Sequence, residues 1–248
     1  MQVKEFEGKV VLVTGAGVNI GRSVALAFAE TGATVAVNTR SSREAAEGTA
    51  TEIRKEGGRA EVFMADVIDA AAVKSMVEGI VARFGRLDYL ILNASVRREI
   101  PFMDMSYEEW RKPIDTTLDG AFHCIKACLP HMLKAGGGAI VTLGGAEWGI
   151  VGKAHSSAAK SGLAGLVRAL GKELAPHNIR INCVAPGHID TNRPSHRTAR
   201  AAVPEYIPMR RYGSTEEIAS TVLFMCSKAS GFVTGQTLRA NGGQMMGF

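Results

Sequence analysis

The first residues with the types and spacing for chemistry form the run Thr14-Gly15-Ala16-Gly17-Val18-Asn19-Ile20-Gly21, which follows an apolar stretch at 9–14 and opens a helix-period stretch at 21–31. Glycines let a backbone turn tightly and come close to a phosphate. A helix starting there offers free N–H groups and the positive end of its dipole. The expected ligand is the pyrophosphate of a dinucleotide. A second set, Asn38-Thr39-Arg40-Ser41, closes the next apolar run. A carboxylate at that point would hold the ribose hydroxyls of NAD. None is present and Arg40 is close by, so a 2′-phosphate is better received and NADP(H) is favoured over NAD(H). The alternative for Arg40 is a solvated charge at a helix start.

These groups need elements to hold them, and the chain supplies an alternation of β-rich and helix-period segments. Strands are expected at 9–14, 34–39, 60–64, 87–93, 139–143, 180–185 and 237–240. Helices are expected at 21–31, 41–56 (with Ser41 and Glu44 as a capping box), 69–84, 106–135 with an interruption near Pro113, 156–177 and 215–227. Continuous apolar strands alternating with helices imply a parallel sheet covered on both faces. The expected fold is a Rossmann-type, doubly wound, seven-stranded, mostly parallel α/β sheet. With no linker, repeat or low-complexity segment, residues 1–248 read as one dinucleotide-binding domain.

Composition limits the rest. With 46% hydrophobic and 21% charged residues in 248, the chain can bury a core without disulfides or metal. Cys124 and Cys128 share a helix face, but no second ligand pair completes a metal site. A net charge of +5, with no basic run, argues against nucleic acid. No apolar run approaches the length of a membrane span, and residues 1–6 show no signal pattern, so a cytoplasmic location is expected.

Further motifs accompany the glycine loop: Asp66-Val67, Asn93-Ala94-Ser95, Asn182 with Pro186-Gly187, Ile189 and Thr191, and Thr234-Gly235-Gln236 with Gly242-Gly243. In this order and spacing they resemble the short-chain dehydrogenase/reductase family along essentially the whole chain. The resemblance implies that Gly15, Gly17, Asn19, Ile20, Gly21, Asn38, Arg40, Asp66, Val67, Asn93, Ala94, Pro186, Gly187, Ile189 and Thr191 line the cofactor crevice. It also implies that a substrate lid covers about 187–212. Asn19 replaces the usual middle glycine, and either crowds a phosphate or donates to it. Ser95 replaces a glycine, and Leu92 an asparagine. NADP or NAD binding is therefore expected to be weak or absent.

The family's chemistry uses a tyrosine activated by a lysine four residues later, a serine after the preceding strand and an asparagine holding a relay water. Here only Lys160 of that set remains. Ser156 stands at the tyrosine position, Gly145 at the serine position and Thr117 at the asparagine position. A serine hydroxyl is a poor base even beside an ammonium. Dienoyl-CoA reductases of the superfamily also carry the serine, but compensate with a tyrosine at the place held here by Gly145. The enoyl-reductase tyrosine would fall at Lys153. His155 lies one position off the required face and is expected to point elsewhere; Glu147 is a further candidate.

Arg97, Arg98, Arg193, His196, Arg197, Arg200, Arg210 and Arg211 gather near the lid against Asp190 and Glu205. They suit an acidic or CoA-bearing ligand, or else a solvated or partner-facing surface. Three functions follow. The first is a non-catalytic subunit paired, in a dimer or tetramer, with an intact paralogue that oxidises a hydroxyacyl-CoA or similar acidic alcohol, resembling the degenerate partner of two-subunit dehydrogenases. The second is an active but atypical reductase, lyase or isomerase using Lys160. The third is a nucleotide-binding regulator. The subunit reading places Ala121, Cys124, Cys128, Ala159, Leu163 and Leu166 at the partner interface.

Overall fold

The computed structural model describes residues 4–145, 149–191 and 205–246. The strands are β1 (Val10–Val13), β2 (Thr34–Thr39), β3 (Arg59–Met64), β4 (Tyr89–Leu92), β5 (Gly138–Leu143), β6 (Ile179–Pro186) and β7 (Thr237–Ala240). They form one seven-stranded sheet in the order β3-β2-β1-β4-β5-β6-β7, and every neighbouring pair is parallel. The helices are α1 (Asn19–Glu30), α2 (Arg43–Lys55), α3 (Ala70–Phe84), α4 (Tyr107–Ile114), α5 (Gly120–Lys134), α6 (Ala154–Leu174) and α7 (Thr215–Cys226). This is the expected Rossmann-type fold.

Period-2 alternation sends β1 side chains to opposite faces. Val11 and Val13 join α1, α2 and α7 in one core, with Phe28, Ile53 and Val222. Val10 and Leu12 join α3, α5 and α6 in the other, with Ile80, Met132 and Leu163. From β1 the chain runs outward to β2 and β3, then jumps to β4 on the other side of β1. The carboxyl ends of β1 and β4 therefore flank the switch point, where doubly wound sheets bind ligands.

Three local expectations need correction. Helix α2 begins at Arg43 behind Ser42, which makes no side-chain cap, so the Ser41/Glu44 box does not form. The box forms instead at Ser106 with Glu109 and at Ser214 with Glu217. The interruption near Pro113 comes later, as a π turn at Asp115–Asp119 closed by the Gly120 N–H on the Asp115 carbonyl. Arg111 spans the widened turn, bonding Asp115 and, at 2.8 Å, Asp119. Finally, Ala121, Cys124, Cys128, Ala159 and Leu163 are buried within the chain, and Leu166 packs partly against the same core. That face of α5 and α6 covers the sheet, so it is not available as the paralogue interface expected above. Burial pushes the Cys124 and Cys226 thiols up to about 12 and the Cys128 thiol well above its ordinary value.

At the opposite edge of β4, Asp88 is buried at 2% exposure. It accepts from the Val10 N–H (3.0 Å), Lys9 Nζ (3.1 Å) and Arg86 Nε (2.8 Å). Burial alone would push the carboxyl up. The bonds from Arg86, Val10 and Lys9 outweigh it and hold the pKa below the ordinary carboxylate value. A folded pKa below the unfolded one adds stability above the unfolded value, and that stability is lost as pH falls through the folded value. Asp88→Asn should cost about 2 kcal/mol at neutral pH. The gap from wild type should close below about pH 4. Urea titrations across that range check this, and an equal gap at low pH contradicts it.

Candidate functional site

The glycine loop is braced from β4. The Thr14 hydroxyl oxygen accepts from the Asn93 N–H (3.0 Å) and the Ala94 N–H (3.1 Å). Asn93 Nδ2 donates to the carbonyls of Thr14 (3.1 Å) and Gly15 (2.9 Å). Asn93 thus acts here on the loop itself. Thr14, absent from the expected site residues, is the joint between the two strands. Its position before the first glycine was the available signal. Gly15 has φ +63°, and Gly17 packs on Ala45 and Ala46 at the start of α2. Gly21 has no room for a side chain: a Cβ there would lie 2.5 Å from Asn93 Nδ2 and closer still to the Gly15 carbonyl oxygen. Ile20 is buried in the core below.

Asn19 has φ +52°. Asparagine is among the few residues with a side chain that enter the left-handed region readily, so the backbone keeps a turn that glycine would make. Helix α1 starts there with no acidic residue in its first turn and no side-chain cap on its free N–H groups. An anion meets an open, positive helix end. The residues present therefore fit a dinucleotide pyrophosphate.

The second set is only partly placed as expected. Asn38 is buried, and its Nδ2 donates to the Phe63 and Ala65 carbonyls, both at 3.1 Å. Its carbonyl accepts from the Ala16 N–H at 2.9 Å. It pins the loop to β3 and has no side-chain donor left for a ribose. Arg40 is exposed and loosely paired with Asp66 at 3.8 Å. Asp66 also accepts from the Ile68 N–H at 3.2 Å. Val67 is buried against Gly120.

On the other side of the crevice, Lys160 is 8% exposed and its ammonium donates to the Leu143 carbonyl at the end of β5. Ser156 is equally buried, and its hydroxyl makes no hydrogen bond. Thr117 is buried in the π turn that packs on α6. Gly145 has φ +90°, and a Cβ there would lie 2.9 Å from the Pro186 carbonyl oxygen. His155 is wholly buried, with neither ring nitrogen bonded. It was expected to point elsewhere, but the inward stripe of α6 is broad enough to include His155, Ala159 and Leu163 beside Ser156 and Lys160.

Beyond β6, the Gly187 N–H bonds the Ala240 carbonyl at 3.0 Å, and a side chain there would strike Asn241. Ile189 bridges to Gly213, and Thr191 follows two residues on. His188 was not anticipated from the sequence: its Nδ1 lies 2.9 Å from Gln244 Oε1 and its Nε2 3.2 Å from the Tyr206 hydroxyl. Arg211 is spent on Glu217 at 2.6 and 2.8 Å, which holds that carboxyl down to about 2. Arg98 sits 3.9 Å from Glu109. Glu147, Arg193, His196, Arg197 and Arg200 lie outside the described residues. Among the described residues there is no cluster of three metal-ligating side chains, and no helix is long and apolar enough to cross a membrane.

Residues 15–245 match the family model described as enoyl-(acyl carrier protein) reductase. The chain belongs to the short-chain dehydrogenase/reductase family. It is 40% identical over 242 residues to the 3-oxoacyl-acyl-carrier-protein reductase FabG of Staphylococcus aureus, covering 96% of this chain and 98% of that one. It is 38% identical over 245 residues to the same-named protein of Escherichia coli, covering 97% and 99%. A putative short-chain alcohol dehydrogenase from Sinorhizobium meliloti superposes with a TM-score of 0.92 at 38% identity, covering 98% of both chains. A 7 alpha-hydroxysteroid dehydrogenase complexed with NADH and 7-oxo glycochenodeoxycholic acid superposes with a TM-score of 0.91 at 30% identity, covering 99% and 98%.

These relatives overturn the expectation of a non-catalytic subunit, since chains this similar from end to end are named for reductase activity. That expectation rested on three vacant side-chain positions. The relatives also remove the ground for weak or absent cofactor binding. Use of NAD(P) follows from the family.

Proposed function

We propose that the chain is an NADP(H)-dependent reductase of an activated acyl thioester, with a 3-oxoacyl carbonyl as the group reduced. The observation that carries this is the 40% identity, over nearly all of both chains, to proteins named 3-oxoacyl-acyl-carrier-protein reductase. Chemistry supports the same choice. When bound, the dinucleotide supplies a hydride, and a 3-oxo carbonyl, made electron-poor by the neighbouring thioester, accepts one more readily than an unactivated ketone does. The N–H groups opening α1 hold the pyrophosphate, and exposed Arg40 receives the 2′-phosphate. The buried Lys160 ammonium stabilises negative charge growing on the substrate oxygen. Thr191, Ile189 and Gly187 line the nicotinamide end of a single domain; of the lid expected at 187–212, residues 192–204 lie outside the described residues. Arg97, Arg98 and Arg210 suit a phosphate-bearing thioester carrier. The active form is a dimer or tetramer of family type, with Tyr107 and Phe122 exposed for contact.

Purified chain supplied with NADPH and a 3-oxoacyl thioester should consume NADPH in proportion to the 3-hydroxyacyl product. It should oxidise simple secondary alcohols negligibly, because they lack the carrier group whose binding energy positions the reacting carbon. No NADPH consumption with any 3-oxoacyl or enoyl thioester contradicts the proposal.

A further inference from the structure

Reducing a carbonyl takes up a proton as well as a hydride, and the family's usual donors are replaced here by Ser156, Gly145 and Thr117. A second pair of titratable groups lies at the same end of the sheet. Gly145 abuts the Pro186 carbonyl. His188 is two residues further, and two residues of chain span at most about 7 Å. The His188 ring is held by Gln244 at Nδ1 and by the Tyr206 hydroxyl at Nε2, with the Tyr206 and Tyr212 rings at 5.7 and 6.1 Å between centroids. An amide oxygen can only accept, so Nδ1 carries a proton. In the neutral ring Nε2 then accepts from the Tyr206 O–H. A phenol, an imidazole and a third group that orients the imidazole make up an acid–base relay. Tyr206 is 58% exposed, so its oxygen can meet a bound molecule, while His188 is half-buried behind it.

We infer that Tyr206, resupplied by His188, donates the proton of the reduction, a role that rests on the chain being a 3-oxoacyl-thioester reductase. With His188 protonated on both nitrogens, Nε2–H donates to the Tyr206 oxygen and the phenolic O–H is free to face the substrate. As the hydride forms the new C–H bond, the C=O π pair moves to oxygen. That oxygen takes the Tyr206 proton. The Tyr206 oxygen then takes the Nε2 proton, and His188 regains one from water. The carbonyl gains two electrons from the hydride and one proton from solvent, and nothing else is consumed.

Among the described residues, the titratable side chains packed on the His188 ring are Tyr206 and Tyr212. Asp190 follows on the same segment, and Glu217 of α7, paired with Arg211, lies beyond Gly213.

The test uses the full chain with NADPH and an acetoacetyl thioester. Tyr206→Phe should lower kcat about 10²-fold, with NADPH affinity within about twofold. His188→Gln should also lower kcat, again with NADPH affinity within about twofold. Without substrate, ¹⁵N spectra of the imidazoles should show neutral His188 protonated at Nδ1, with its Nε2 signal shifted by Tyr206→Phe. An active wild type with unchanged kcat in Tyr206→Phe, or a neutral His188 protonated at Nε2, overturns the relay and leaves the reductase assignment standing. An inactive wild type overturns both.

Discussion

Replacing Gly21 with alanine should raise the dissociation constant for NADPH at least about 100-fold. The new methyl would press on the Gly15 carbonyl oxygen and on Asn93 Nδ2, the two groups that lock the loop to β4. Neither can retreat cheaply. Gly15 O is backbone, and Asn93 bridges two carbonyls at once. The loop or the first turn of α1 must move, and the N–H groups proposed to hold the pyrophosphate move with it. Losing two such bonds to a charged oxygen, at about 1.5–3 kcal/mol each, accounts for a loss of that size. Overpacking should also cost about 1–3 kcal/mol of stability. Calorimetric titration with NADPH, run beside a thermal melt, separates the two effects. A folded variant that binds NADPH as tightly as wild type shows that the phosphates sit elsewhere.

The fold was legible because a two-faced parallel sheet leaves a direct imprint: apolar strands bounded by helices of period 3.6. The strands at 34–39 and 237–240 coincide with β2 and β7. Errors came where one pattern serves two purposes. The small and apolar residues of α5 and α6 have the spacing of an interface, but also that of a helix lying on a sheet, and the sheet takes them. Asn19 reads as a lapse in a glycine motif until its φ of +52° shows the same turn preserved. Asn38 sits where a ribose is read, yet its donors face the carbonyls of Phe63 in β3 and of Ala65 just beyond it, a pairing set by strand register that no local pattern reveals. The His188–Tyr206–Gln244 cluster joins three segments far apart in the chain and leaves no spacing signal at all.

Lys160 is the remaining lever, and Lys160→Met should lower kcat for 3-oxo carbonyl reduction about 10²–10³-fold. Methionine fills the space of the buried alkyl stem without strain, so folding and NADPH binding should largely survive. What disappears is a positive charge in a site sheltered from water, where charge–charge interactions are strongest. With no phenol at position 156, the proposed role of that charge, held at the Leu143 carbonyl, is to stabilise the substrate oxygen. Reinstalling the family's residues should not compensate. Gly145→Ser would force a side chain onto a φ of +90° and against the Pro186 carbonyl, at a cost of about 1–2 kcal/mol from the backbone alone. The vacancy is thus built into the path of the chain after β5. Gly145→Ser with Ser156→Tyr should be less stable than wild type and no faster. Single-turnover rates for wild type, Lys160→Met and the double variant decide the matter. A fast Lys160→Met enzyme removes the ammonium from the chemistry, and a fast double variant shows that the family's own arrangement still fits this backbone.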